Sequence, residues 1–145
     1  MPRSTNISLS RKQIMTVAII GAILWFCAAM LMRDVVKMDF YDGMGVAIVY
    51  ALTIPGTIPF VILVRKLAGL REDQIAIGYT VATAVALMLD GSAFAFFPAL
   101  YADNPADGLQ APAAILWGAG VGLVLAIIMN RAEPVSASGQ PHLDY

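Results

Sequence analysis

Four long apolar stretches divide this chain, and each is about as long as a bilayer core is thick. The first, Ile14 to Met32, runs nineteen residues without a charge. The second is Met44 to Val64. The third begins near Ile75 and carries on to about Tyr101, interrupted by Asp90, and the fourth is about Ala113 to Met129. A helix rises about 1.5 Å per residue, so runs near 20 residues match the hydrocarbon thickness. Composition agrees: 59% of residues are hydrophobic and 13% charged, against about 45–50% and about 25% in soluble domains. The expected fold is all-α, an integral membrane up-down four-helix bundle forming one domain.

Residues 1–13 form a basic arm, 14–129 the transmembrane domain with spans at about 14–32, 44–64, 75–101 and 113–129, and 130–145 a polar tail. The tail holds Pro, Ser, Gly and Gln, a composition expected to stay disordered unless a partner holds it. The first run follows basic residues, as a secretion signal would, but it is longer than a signal core and charged Arg33 and Asp34 follow it. A retained span is therefore expected. Cys27, the only cysteine, excludes an intrachain disulfide, and bulky Trp25 and Phe26 before it argue against lipidation.

Basic residues set the expected orientation. Arg3, Arg11, Lys12, Arg65, Lys66, Arg71 and Arg131 fall on one side of the alternating spans, while Arg33 and Lys37 fall on the other. The positive-inside bias then places both termini in the cytoplasm, in a bacterial inner membrane. Aromatic Phe40 and Tyr41 in the first loop suit an interface belt, and Asn104-Pro105 and Asp107-Gly108 mark turns in the third loop.

Asp90 is the one ionisable side chain that the pattern forces into the bilayer, and a carboxylate there must be shielded, neutralised or hydrated. It lies about fifteen residues, roughly 22 Å, from the start of its span, in the outer half. Steps of four from it give Ala86, Ala82 and Gly78, a small-residue face that turns Asp90 toward protein. Two readings stay open. In one, Asp90 locks the bundle through an ion pair with Arg33, or through Thr53 or Thr57. In the other, it exchanges a proton or binds a cationic solute, with Phe94, Phe96 and Phe97 as partial candidates for an aromatic lining. Gly91, directly after it, either breaks the helix or permits close packing.

Pro55 and Pro59 predict a kink in the second span, a hinge or a static bend, with Thr53 and Thr57 near the carbonyls they free. Ala114, Gly118, Gly122 and Ala126 form a small-residue ridge on the fourth span, suited to packing inside the bundle or to a dimer. Trp117 is expected at the outer interface and Trp25 buried against another helix.

The only histidine, His142, lies in the tail, so no span offers a haem or metal ligand set. No catalytic triad, phosphate loop or carboxylate dyad is visible, and the net charge of -1 gives no basic footprint for nucleic acid. No enzyme activity, metal or cofactor is expected. The expected partners are the lipid bilayer and other membrane proteins or a second copy of the chain.

Leu89-Asp90, then Phe96-Phe97-Pro98 and Asn104-Pro105, with Arg33 closing the first span, resemble a bacterial family of small four-span membrane proteins of unknown function. The likeness covers Leu89 to Trp117, beyond which only the hydropathy is similar, and the long polar tail departs from it. It implies the fold and brings no activity. Two functions are consistent with the residues: an accessory component that docks to a membrane assembly through small-residue ridges, or a small proton-coupled transporter using Asp90.

Overall fold

The structure, a computed structural model, describes residues 8–37, 44–101 and 110–131. The loop turns at Asn104-Pro105 and Asp107-Gly108, the aromatics of the first loop and the tail beyond Arg131 lie outside the described residues. Four helices follow in order: α1 (Arg11–Lys37), α2 (Met44–Leu67), α3 (Ile75–Phe96) and α4 (Gln110–Met129). All four are long and apolar enough to cross a membrane. Their outer faces carry large apolar side chains in the open, among them Met15, Ile23, Leu52, Met88 and Ile128. Each would cost about 1.5–3 kcal/mol to leave in water, so hydrocarbon is the solvent this surface requires. The chain is a multi-pass membrane protein built as a four-helix bundle.

Each helix starts and stops for local reasons. Ser10 and Gln13 form a capping box at the head of α1: the Gln13 amide nitrogen donates to Ser10 Oγ at 3.2 Å and the Ser10 amide to Gln13 Oε1 at 3.0 Å. Gly69 ends α2 in the left-handed conformation, φ 59°. Leu70 N then donates to Arg65 O at 2.9 Å and Gly69 N to Lys66 O at 3.3 Å, the paired bonds of a Schellman motif. Pro112 stands in the first turn of α4, where its missing N–H is not needed.

Around the bundle α1 packs along α3, α3 against α4 and α4 against α2, whereas α1 and α2 scarcely touch. The end carrying Arg11, Arg65 and Arg71 is tied by polar bonds. Gln13 Nε2 donates to Gly69 O at 3.1 Å and to Gln74 Oε1 at 3.2 Å, and Gln74 Nε2 donates to Ser8 O at 3.0 Å. Asn130 Oδ1, past the end of α4, accepts the Ala76 amide at 3.0 Å and so caps α3. Beneath this knot Val17, Ile20, Val64, Ala68, Leu70 and Ala82 form one apolar cluster.

Three expectations need correction. The third span does not run as helix to Tyr101: α3 stops at Phe96, and Pro98–Leu100 make a 3₁₀ turn. A residue before proline is driven out of the α region, and Phe97 has φ -138° and ψ 55°. Neither reading of Gly91 holds. The helix continues through it, and a β-carbon there would meet nothing within 4 Å. Lastly, the threonines of α2, a helix that runs through Pro55 and Pro59, do not serve the prolines. Thr53 Oγ1 donates to Val49 O at 2.8 Å and Thr57 Oγ1 to Thr53 O at 2.6 Å. Those carbonyls are not the ones four residues before each proline, so the threonines do not replace the lost donors.

The small-residue face of α3 packs inward, as expected, but its close crossing is made by another glycine. A β-carbon on Gly21 of α1 would fall 2.5 Å from the Ala82 carbonyl oxygen, in the backbone of α3. Gly78 instead makes room for the end of Leu70. Gly21→Leu should therefore force α1 from α3 and cost about 1–3 kcal/mol as an overpacking substitution. Thermal unfolding in detergent should show a clear loss for it, while Gly91→Ala stays at or slightly above wild type; equal behaviour of the two would contradict this crossing.

Candidate functional site

Asp90 is buried, 7% exposed, on the face of α3 that looks into the bundle. Its Oδ1 accepts the indole N–H of Trp25, from α1, at 2.8 Å. The same oxygen accepts the hydroxyl of Tyr101. The indole N–H also lies 3.2 Å from the Tyr101 hydroxyl oxygen, so one donor is shared between two acceptors and the three side chains close a ring. Tyr101 is fully buried. Phe94 stacks on it, ring centroids 4.1 Å apart and planes 18° apart.

Local chain geometry produces this arrangement. Pro98 ends α3, and the 3₁₀ turn brings the chain back toward the helix it has just left. Tyr101, eleven residues after Asp90, thereby returns to the carboxylate. Ala29, Ala93 and Ala111 pack around Tyr101, with small side chains that admit its ring. Had α3 continued as helix to Tyr101, the phenol would lie about 16 Å along the axis from Asp90.

Asp90 and Trp25 line a cavity of about 570 Å³ to which all four helices contribute. A volume of that size falls in the range of small-molecule sites, roughly 300–1,000 Å³. Ala86, Thr83 and Tyr79 continue the wall along α3, Thr53 and Thr57 stand on α2, and Ala114 and Gly118 on α4. Among the described residues that line it, Asp90 is the one carboxylate, and none is a lysine, arginine or histidine.

The remaining expected site residues are placed as follows. Arg33 sits half-buried near the far end of α1 and is not a partner of the Asp90 carboxylate, which Trp25 and Tyr101 hold instead. Thr53 and Thr57 spend their hydroxyl protons on their own helix. Phe96 and Phe97 point outward, 75% and 70% exposed, and Phe94 stacks on Tyr101, so the aromatic rings on the cavity are Trp25, Tyr79 and Phe60. The α4 ridge is turned into the bundle: Ala114 and Ala126 are buried, Gly118 faces the Thr53 methyl and Gly122 faces the Tyr79 ring. Trp117 stacks on Tyr50 with centroids 5.3 Å apart and donates to the Tyr50 carbonyl at 3.0 Å.

Tyr101 and Trp25 are the residues that sequence reasoning left out of the site. Both had a signal. An indole N–H at mid-span needs an acceptor, and Asp90 is the acid in reach; the Phe97-Pro98 step marks the end of a helix.

No family model matches the chain, and neither does any curated protein or solved structure.

Removing either donor leaves a buried carboxylate short of a hydrogen bond, which costs about 1–3 kcal/mol. Trp25→Phe and Tyr101→Phe should each lower the unfolding temperature in detergent. Because both act on one oxygen, the double variant should lose less than the sum of the two; strict additivity would show that the ring does not act as a unit.

Proposed function

We propose that this protein is a small carrier of the bacterial inner membrane, both termini cytoplasmic, in which Asp90 couples solute movement to a proton. The observation that supports this reading is the position of Asp90 on a cavity of about 570 Å³ lined by all four helices. A carboxylate serving only to fasten helices would need no such space beside it. The rest follows from the electrostatics of the site. Ionised Asp90 is stabilised in apolar surroundings by donors, by a cation or by taking up a proton. Trp25 and Tyr101 supply neutral donors to one oxygen. They orient the carboxylate while leaving its charge to be balanced by whatever enters the cavity. Solute and proton then compete for the same group, and that competition is the elementary requirement for coupling.

The accessory role expected from the same sequence rested on the small-residue ridge of α4, the short loops and the lack of catalytic residues. Gly118 and Gly122 are engaged inside the bundle by Thr53 and Tyr79, so a docking function would have to use another surface. The resemblance to a family of small four-span proteins is compatible with either role. The orientation rests on the seven basic residues on one side against two on the other.

Reconstitution in proteoliposomes with an internal pH indicator tests the carrier reading. Across a panel of organic cations, neutral solutes and anions, at least one should drive proton movement through wild-type protein, and Asp90→Asn should abolish it. No proton flux with any member of the panel, from protein shown to be folded, would overturn the reading.

A further inference from the structure

The cavity has an entrance, and its position follows from burial. Of its lining residues, Ala29, Thr57, Asp90 and Ala114 are buried and form the floor. Cys27, Ala28 and Leu31 on α1 and Leu52, Gly56 and Phe60 on α2 line the same cavity yet are exposed. Those six lie on the two helices that scarcely touch each other. The mouth is therefore the gap between α1 and α2. On a bundle sheathed in exposed apolar side chains, that gap opens sideways into hydrocarbon. The ends are closed differently: the Gln13–Gln74 knot and the Val17 cluster fill one, and buried Tyr101 with Ala29, Ala93 and Ala111 fills the other.

What enters from lipid must be apolar over most of its surface. What settles beside Asp90 must answer a negative charge, because no basic side chain among the described residues lines the cavity. Trp25 borders the cavity directly beside Asp90, and aromatic rings attract cations, above all where water is excluded. Anions are disfavoured by the carboxylate, and neutral solutes can offer it a hydrogen bond but no opposite charge.

We propose that the cavity is a binding site for a lipophilic organic cation that enters laterally from the bilayer between α1 and α2 and seats its charge at Asp90. The proposal rests on the carrier reading above and names its substrate class. The apolar body packs against Leu24, Leu87 and Ile115 of the cavity wall. The charge lies beside Asp90 and the Trp25 ring that bonds it, and Gly56 leaves one turn of α2 at the mouth without a side chain.

Equilibrium binding of radiolabelled tetraphenylphosphonium to the purified full chain, in a neutral detergent and mildly alkaline buffer, tests this directly. Binding should be saturable above empty micelles. Tetraphenylborate, which has the same shape and opposite charge, and neutral triphenylphosphine oxide should compete at least about tenfold less well than unlabelled phosphonium, a difference of about 1.4 kcal/mol. Asp90→Asn should weaken binding by a similar factor. Gly56→Phe keeps the carboxylate and tests the mouth alone; an added β-carbon there meets nothing within 4 Å, so the variant should fold and bind poorly. Cys27, exposed at the mouth, gives a second readout: bound phosphonium should slow its reaction with a membrane-permeant maleimide. Binding that does not saturate, equal competition by borate or the neutral oxide, or undiminished binding in Asp90→Asn would overturn the proposal. Binding without proton flux would support the cation site and refute coupling. Flux driven by other solutes, with no phosphonium binding, would refute the cation class and leave coupling standing.

Discussion

A carboxylate at membrane depth must be compensated, and much of the bundle away from its basic end is arranged around that requirement. Asp90 draws one donor from α1 and one from the segment following α3. Those two bonds join the helix pair with the most extensive packing to the turn that closes that end of the bundle. Trp25 is half-buried rather than sunk in the core, because its indole must reach the carboxylate while its ring borders the cavity. Tyr101 is fully buried for the complementary reason. Its hydroxyl is committed to Asp90 and its ring to Phe94.

The two ends of the bundle are held by different chemistry. At the basic end, side-chain amides of Gln13, Gln74 and Asn130 bond to backbone groups and to each other. Such groups can exchange partners with water, and they suit a membrane surface. At the other end the closure is aromatic and apolar, around a single charged oxygen. A cavity lies between, bordered by α1 and α2, which scarcely touch.

Hydropathy made the four helices legible, because a bilayer demands long apolar runs whatever the side chains do in detail. The small-residue ridge on α4 was also legible, since Ala114, Gly118, Gly122 and Ala126 recur every four residues, but whether it met the bundle or a second copy was not. The partner of Asp90 was not. Charge complementarity pointed to Arg33, but it takes no account of where the chain turns. The end of α3 is hidden within a continuous apolar run, and only Pro98 betrays it. The tight crossing of Gly21 on Ala82 was missed for a similar reason: one glycine in a helix says nothing about which backbone will approach it.

The helix on one side of the mouth is weaker than its neighbour. Pro55 and Pro59 deprive α2 of two amide donors, and so the carbonyls of Ala51 and Pro55 lack their usual rungs. α1, facing it across the gap, has no proline in its helical length. A rod missing rungs bends at lower cost than one fully laddered. Of the two jambs of the proposed sideways doorway, α2 is the one that would cost less to bend.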